Sequence, residues 1–376
     1  MDSKYVLVKS YYGLGGDLCV LLGAMHFAEK QQRAVVVDWS GGFYGAVDNG
    51  NLINEYFESP DFQAPSALRG RGLSIFPPQW INRIHLPPLS YVTGVDLTLS
   101  RPEEVPAGCD ADCVVITRDS RVMHRRPEEF FSVAQSLRPV ARIRDNIEET
   151  LQRIGTTRHS IGIHFRHGNG ERKVIPPDPR WFRNRINARM RSLGVTAEDV
   201  TLYVATDCGS VVDYFRRYYP HTIDFTKLYR PNGEGAMHIN RTDLCVQAKM
   251  KLADEALVDM YVLSRCKFFI GSRGFFSLFV RLLRGRMHSI LYEGSRVFDN
   301  YNFSDIFYSI DRDPLLAPLL KRARQPIDGL FVNLTPEGRH VHYFDEPLHL
   351  IPAEKTVLTS AEILAFRKSI TARRTY

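Results

Sequence analysis

The chain has 376 residues, 44% apolar and 24% charged, which excludes collagenous, low-complexity and disordered classes and exceeds one ordinary domain. Lysine plus arginine number 49 against 42 for aspartate plus glutamate, a formal charge of +7. Such a balance favours an anionic partner without naming one.

No run of 18 apolar residues occurs and no apolar stretch follows Met1, so the expectation is a cytoplasmic chain without a leader or a membrane span. The six cysteines, at 19, 109, 113, 208, 245 and 266, lack paired CxxC spacing, so they read as reduced thiols and not as a zinc site.

In chain order, Tyr5 to Lys9 reads as a strand, Gly13-Leu14-Gly15-Gly16 as a turn, Asp17 to Lys30 as a helix and Ala34 to Trp39 as a strand. That is the opening of an α/β domain. Residues 40 to 112 are rich in Gly, Pro and Asn and weakly periodic, and Cys113 to Arg118 reads as the next buried strand. Helical spacing runs from Pro127 to Ile154 with a break at Pro139, and Gly155 closes it. The rest alternates. Strands are expected at Ile161–Phe165, Leu202–Ala205, near Ile223, at Phe268–Ile270 and at Ser289–Tyr292. Helices are expected after Pro179 and at Ser210–Tyr218, Asp254–Arg265 and Phe275–Leu283. This alternation predicts a parallel, doubly wound sheet. Residues 296 to 376 are less regular, apart from a helix at Ser360–Ile370 opened by a capping box at Thr359 and Glu362.

Ligands of such sheets bind at the carboxyl ends of strands. After the 161–165 strand come Arg166, His167, Gly168, Asn169, Gly170 and Glu171: a planar fork for phosphate oxygens, glycines that admit a ligand to the backbone, and a carboxylate able to act as a base. Thr206-Asp207 follows the next strand, where Asp207 caps a helix or contacts a nucleotide. Asp259 interrupts an apolar helical face and needs a partner, either a donor-rich base or a protein donor. Gly271 to Gly274 opens a helix carrying Ser277 and Arg281, a place that suits a diphosphate.

Other motifs carry less. Gly13-x-Gly15-Gly16 is only part of a dinucleotide fingerprint. Asp110-Ala111-Asp112 precedes a strand, the wrong end for a metal–nucleotide site. Six arginines and one lysine between Arg172 and Arg191 come without any nucleic-acid-binding module, so no nucleic-acid partner is expected.

The run His164-Phe165-Arg166-His167-Gly168-Asn169-Gly170-Glu171, then Thr206-Asp207, then Asp259 to Arg265, then Ser277 and Arg281 resembles the donor-site motifs of the α-1,6-fucosyltransferases, the rhizobial nodulation branch above all. The Gly13 to Asp17 opening is similar too. The resemblance implies a GT-B fold: two Rossmann-like domains facing across a cleft, acceptor side at 1–155 and GDP-fucose side at 156–330, with a tail at 331–376 whose helix packs back on the first domain. It implies inverting fucosyl transfer to the 6-hydroxyl of a GlcNAc residue on a chitooligosaccharide or lipo-chitooligosaccharide, with no cofactor and no metal. By position, Arg166 would bind the diphosphate, His164 and Asp259 the guanine end and Ser277 the β-phosphate. His167, Gly168, Asn169, Asp207, Arg281, Gly13 and Gly15 would complete the donor site, and Glu171 would be the base. Departures stand at Phe276, where a polar residue is expected, and in a loop one residue longer before it. The alternatives are a different acceptor, such as a lipopolysaccharide sugar or a protein hydroxyl, and a GDP-sugar-binding protein without transfer. Contact with a membrane glycolipid and the oligomeric state stay open.

Overall fold

The computed structural model describes residues 4–9, 12–40, 42–44, 52–58, 62–68, 70–86, 89–90, 95–96, 100–155, 159–166, 179–227, 244–272, 274–286, 290–291, 307–309, 330–335, 338–343, 346–352 and 358–371. The first sheet contains β1 (Tyr5–Lys9), β2 (Ala34–Asp38), β3 (Phe62–Gln63) and β4 (Ile75–Phe76). A small hairpin, β5 (Leu89–Ser90) with β6 (Val95–Asp96), precedes β7 (Cys113–Ile116). The first sheet is parallel, in the order β3-β2-β1-β7-β4. The second holds β8 (His159–Phe165), β9 (Val200–Thr206), β10 (Thr222–Ile223), β11 (Phe268–Gly271) and β12 (Ile290–Leu291), parallel in the order β10-β9-β8-β11-β12. The helices are α1 (Leu14–Lys30), α2 (Ile53–Tyr56), α3 (Arg121–Arg125), α4 (Phe131–Ser136), α5 (Ala141–Ile154), α6 (Pro179–Leu193), α7 (Gly209–Arg216), α8 (Val246–Arg265), α9 (Phe275–Leu283) and α10 (Ser360–Thr371).

Both sheets are covered on both faces, as doubly wound folds require. Along β1 the side chains alternate: Val6 and Val8 join the core under α1, while Tyr5 and Leu7 join Val36, Trp80 and Val115 on the other face. Likewise Ile161, Ile163 and Phe165 of β8 pack with Phe182, Ile186, Val212 and Phe215 of α6 and α7. The core under α1 does not stop at the first sheet. It runs through Phe130, Ile143 and Ile147 to Leu257, Val258 and Phe279 and reaches Tyr203 of the second sheet. The two halves therefore share one hydrophobic cluster. Arg142 of α5 reinforces it with a forked pair to Asp254 of α8 at 2.9 and 3.0 Å.

Helix α8 starts at Val246, eight residues before the expected Asp254, because Val246 to Ala253 contains no breaker and extends the same pattern. The Pro127–Ile154 stretch divides into a short 3₁₀ turn, α4 and α5, and α5 stops at Gly155 with φ 72°, a value that favours glycine. Residues 307–352, read as irregular, contain a four-stranded antiparallel sheet of β13 (Phe307–Ser309), β14 (Leu330–Thr335), β15 (Gly338–Tyr343) and β16 (Glu346–Pro352) in sequential order. The strands from β14 onward follow one another at two-residue intervals, the spacing of hairpins, a signal that the lack of strict polar–apolar alternation hid.

Within the shared core the two domains approach backbone to backbone at Gly15 of α1. A Cβ there would lie 2.8 Å from the backbone nitrogen of Phe276, so the two helices touch without a side chain between them. Alanine normally stabilises a helix interior relative to glycine by about 1 kcal/mol. Here Gly15→Ala should instead destabilise the protein by about 1–3 kcal/mol through overpacking. Urea denaturation of the variant measures this, and equal or greater stability would contradict the packing described.

Candidate active site

Strand β8 alternates so that Gly162 and His164 face α8 and α9 while its odd-numbered residues face α6 and α7. The His164 ring stacks on Phe276 at 4.1 Å, and its Nδ1 lies 2.8 Å from Ser277 Oγ. Gly271, at the end of β11, makes this possible: a Cβ there would stand 2.7 Å from that hydroxyl. Burial first, then the positive charges of Arg166 and Lys227, push the His164 pKa down to about 3. The ring is neutral at ordinary pH, and Ser277 satisfies one of its nitrogens.

Ser272 ties the strand ends together. Its N–H donates to the His164 carbonyl at 2.8 Å, and its hydroxyl accepts from the Arg166 N–H at 3.2 Å. Arg166 thus leaves β8 at a fixed angle. Its positive charge also acts on the Tyr44 phenol of the first domain, partly opposing the upward push of burial and of Asp17 on that group. Arg166 is therefore held at the second sheet and is felt across the domain junction.

Two helices begin at this junction. Helix α1 starts at Gly13 and α9 at Gly274, whose φ of 132° only glycine adopts readily, and neither N-cap supplies a side-chain hydrogen bond. Their first turns meet where Gly15 touches Phe276 and Gly16 approaches Phe275. Each N-terminus carries a partial positive charge, which in α1 is partly offset by Asp17 in the first turn, whose carboxylate accepts from the Tyr12 N–H at 2.9 Å. Arg166 adds a full positive charge nearby. Two helix starts and a guanidinium thus come from both halves of the molecule to one junction, the kinds of group that bind anions elsewhere.

The remaining sequence candidates fall in different places. Asp259 is buried, and its carboxylate accepts from the Tyr203 hydroxyl at 2.6 Å and pairs with the Lys227 ammonium. Protein donors hold both oxygens, so the reading in which a base edge must satisfy this carboxylate gives way to a positional one. Lys227 was missed in the sequence, where it is one lysine in a loop; its Nζ also donates to the Thr206 carbonyl at 2.9 Å. Asp207 sits half-buried at the end of β9, but the N-cap of α7 is Cys208, so the capping role expected of Asp207 is corrected. Arg281 lies four residues after Ser277 on α9, on the same face and roughly 6 Å further from the helix start. Gly13 opens α1 and accepts the amides of Gly16 and Asp17, and Gly15 is occupied in helix packing. His167, Gly168, Asn169 and Glu171 lie outside the described residues. Asp110 pairs with Lys4, and Asp112 accepts from the N–H and hydroxyl of Ser74. Both stand at the amino end of the first sheet, away from the junction, as the sequence position of that motif implied.

Two parallel-sheet domains that meet where α1 and α9 begin define a GT-B glycosyltransferase fold. Solved structures agree. A fucosyltransferase NodZ from Bradyrhizobium aligns with a TM-score of 0.53 at 20% identity, over 76% of this chain and 93% of that one. A NodZ alpha-1,6-fucosyltransferase co-crystallised with GDP gives 0.54 at 19% identity, over 76% and 92%. Nodulation protein Z of Sinorhizobium fredii is 26% identical over 286 residues, 71% of this chain and 86% of that protein. The family model described as Nodulation protein Z (NodZ) matches residues 103–300, over half of the chain, and the chain belongs to that family. Among the described residues, no helix is long and apolar enough to cross a membrane.

The neutral His164 makes stability depend on pH. Its native pKa of about 3 lies below the unfolded value of about 6.5, so the unfolded chain binds the extra proton as pH falls. The contribution is intact above the unfolded value and is lost at up to about 1.4 kcal/mol per pH unit through the window down to the native one. Between pH 7.5 and 5 the wild type should lose about 2 kcal/mol more than His164→Gln does. Paired denaturation curves test this; equal losses would show that the native ring takes up its proton as readily as the unfolded one.

Proposed function

We propose that the protein transfers L-fucose from GDP-fucose to the 6-hydroxyl of a GlcNAc residue, on a chitooligosaccharide or lipo-chitooligosaccharide, with inversion and without a metal. The observation that carries this reading is the meeting of two uncapped helix N-termini beside Arg166 at the carboxyl edge of the second sheet. A NodZ alpha-1,6-fucosyltransferase solved after soaking with GDP-fucose belongs to the same family, which supports the choice of donor.

The chemistry follows from charge. As the bond from fucose C1 to the phosphate oxygen breaks, negative charge grows on GDP while the sugar becomes oxocarbenium-like. A fixed guanidinium and oriented amides offset that charge without reorganising. In this reading residues 156–330 hold the donor and residues 1–155 receive the acceptor. His164 and Ser277 shape the floor of the donor pocket, Asp259 and Lys227 set its wall, and Asp207 stands at its rim. Peripheral contact with a glycolipid fits a lipid-linked acceptor but is not required.

The test is incubation with GDP-fucose and a panel of chitooligosaccharides in EDTA, following GDP release and product mass. A product heavier by one fucose is expected, and Arg166→Ala should lower turnover by about 10²-fold or more. Near-normal turnover in a folded Arg166→Ala protein would remove that role. GDP binding without transfer to any acceptor would favour a sugar-nucleotide-binding protein instead.

A further inference from the structure

The carboxyl edge of the first sheet carries an acid–base pair that none of the sequence motifs includes. Beyond β7 the chain passes Asp119 and enters α3, which bears His124. Asp119 Oδ2 lies 2.7 Å from His124 Nε2. The carboxylate is nearly buried, at 7% side-chain exposure, while the imidazole is 48% exposed. Arg101 fixes the aspartate from the other side, donating to its carbonyl at 2.6 Å and approaching Oδ1 at 3.4 Å.

With Nε2–H donating to Asp119, the lone pair of Nδ1 is available, and no other hydrogen bond reaches this ring among the described residues. Two other histidines pair with carboxylates, His26 with Glu129 and His221 with Glu198, both at 3.4 Å and both on more exposed carboxylates. His26 lies toward the C-terminal end of α1 and His221 just before β10, so neither stands where a helix leaves the first sheet. The His124 ring stands 6.3 Å from the ring of Phe275, which is 5.8 Å from Tyr12 in the β1–α1 connection. Phe275 opens α9 and precedes Phe276, the residue stacked on His164. The pair therefore flanks, from the acceptor side, the helix start at which the donor phosphates are placed.

We propose that His124, oriented by Asp119, is the base that takes the proton of the acceptor hydroxyl; this rests on the transferase reading above. The hydroxyl proton passes to Nδ1 as the acceptor oxygen bonds to fucose C1. The C1–O bond to phosphate breaks, its electron pair leaves with GDP, and the imidazolium later returns the proton to water. Asp119 is a positioning residue that selects the tautomer and supports the charge formed on the ring. This assigns to His124 the role that the family resemblance gave to Glu171.

The test compares the full-length wild type with His124→Ala, His124→Gln, Asp119→Asn and Glu171→Gln for GDP binding by calorimetry and for fucosyl transfer. Removing the base should lower kcat by about 10² to 10⁴ in both His124 variants, with GDP affinity retained and with added imidazole restoring turnover to His124→Ala. Asp119→Asn should lower kcat and leave KM for the donor unchanged. Near-normal turnover of His124→Ala, a loss that imidazole does not restore, or weakened GDP binding in both His124 variants would overturn the proposal. If the wild type transfers fucose and only Glu171→Gln loses transfer, the proposal fails and the transferase reading stands. A wild type inert toward every acceptor overturns both.

Discussion

Two helix N-termini meeting with no side chain between them is the constraint on which the rest of this structure depends. Gly15 of α1 rests against the backbone of Phe276 in α9, and the shared core on either side follows from that contact. Because α1 belongs to the first sheet and α9 to the second, the contact joins the domains and also concentrates their positive helix ends in one place. Moving the helices apart would weaken the core and separate the two helix starts together.

The charges around this junction are arranged so that positive ones are held and histidine stays neutral. Lys227 is fixed between the Thr206 carbonyl and Asp259, and Tyr203 completes the carboxylate. Burial above all, aided by the charges of Arg166 and Lys227, keeps a proton off His164, leaving that ring to stack and to bond Ser277. In the first domain Lys9 and Asp38 form a buried pair at 2.5 Å, with Ser40 also donating to the aspartate. Burial still holds the Lys9 pKa below its ordinary value. Pairs of this kind tie strand ends to the loops beyond them, and losing one partner is far costlier than the pair is stabilising.

Much of the architecture was legible because doubly wound sheets repeat a simple pattern of buried strand, polar strand end and amphipathic helix. The run from Ile161 onward implies a strand with a polar end, and β8 ends at Phe165 with Arg166 just beyond. The sequence groups His164 and Arg166 with Ser277, more than a hundred residues further on, and His164 and Ser277 meet in space at 2.8 Å. What could not be read depended on partners supplied by other elements. Lys227 is an ordinary loop lysine until Asp259 and Thr206 close around it. Asp119 and His124 lie five residues apart with no motif to mark them, and their setting comes from Arg101 and Phe275. Gly15 reads as part of a phosphate loop, but nothing in its sequence setting shows that its lack of a side chain also serves helix contact. The antiparallel sheet at 307–352 was hidden for another reason: its strands lack the strict polar–apolar alternation that distinguishes a strand from irregular chain.

Hydrogen–deuterium exchange with and without GDP addresses the junction most directly. If the two helix starts form the phosphate cradle, GDP should slow exchange of the amides at 13–19 and 274–279 together, and GMP should do so less than GDP. Protection confined to one helix, or absent from both while GDP binds, would contradict an anion site built from the two domains.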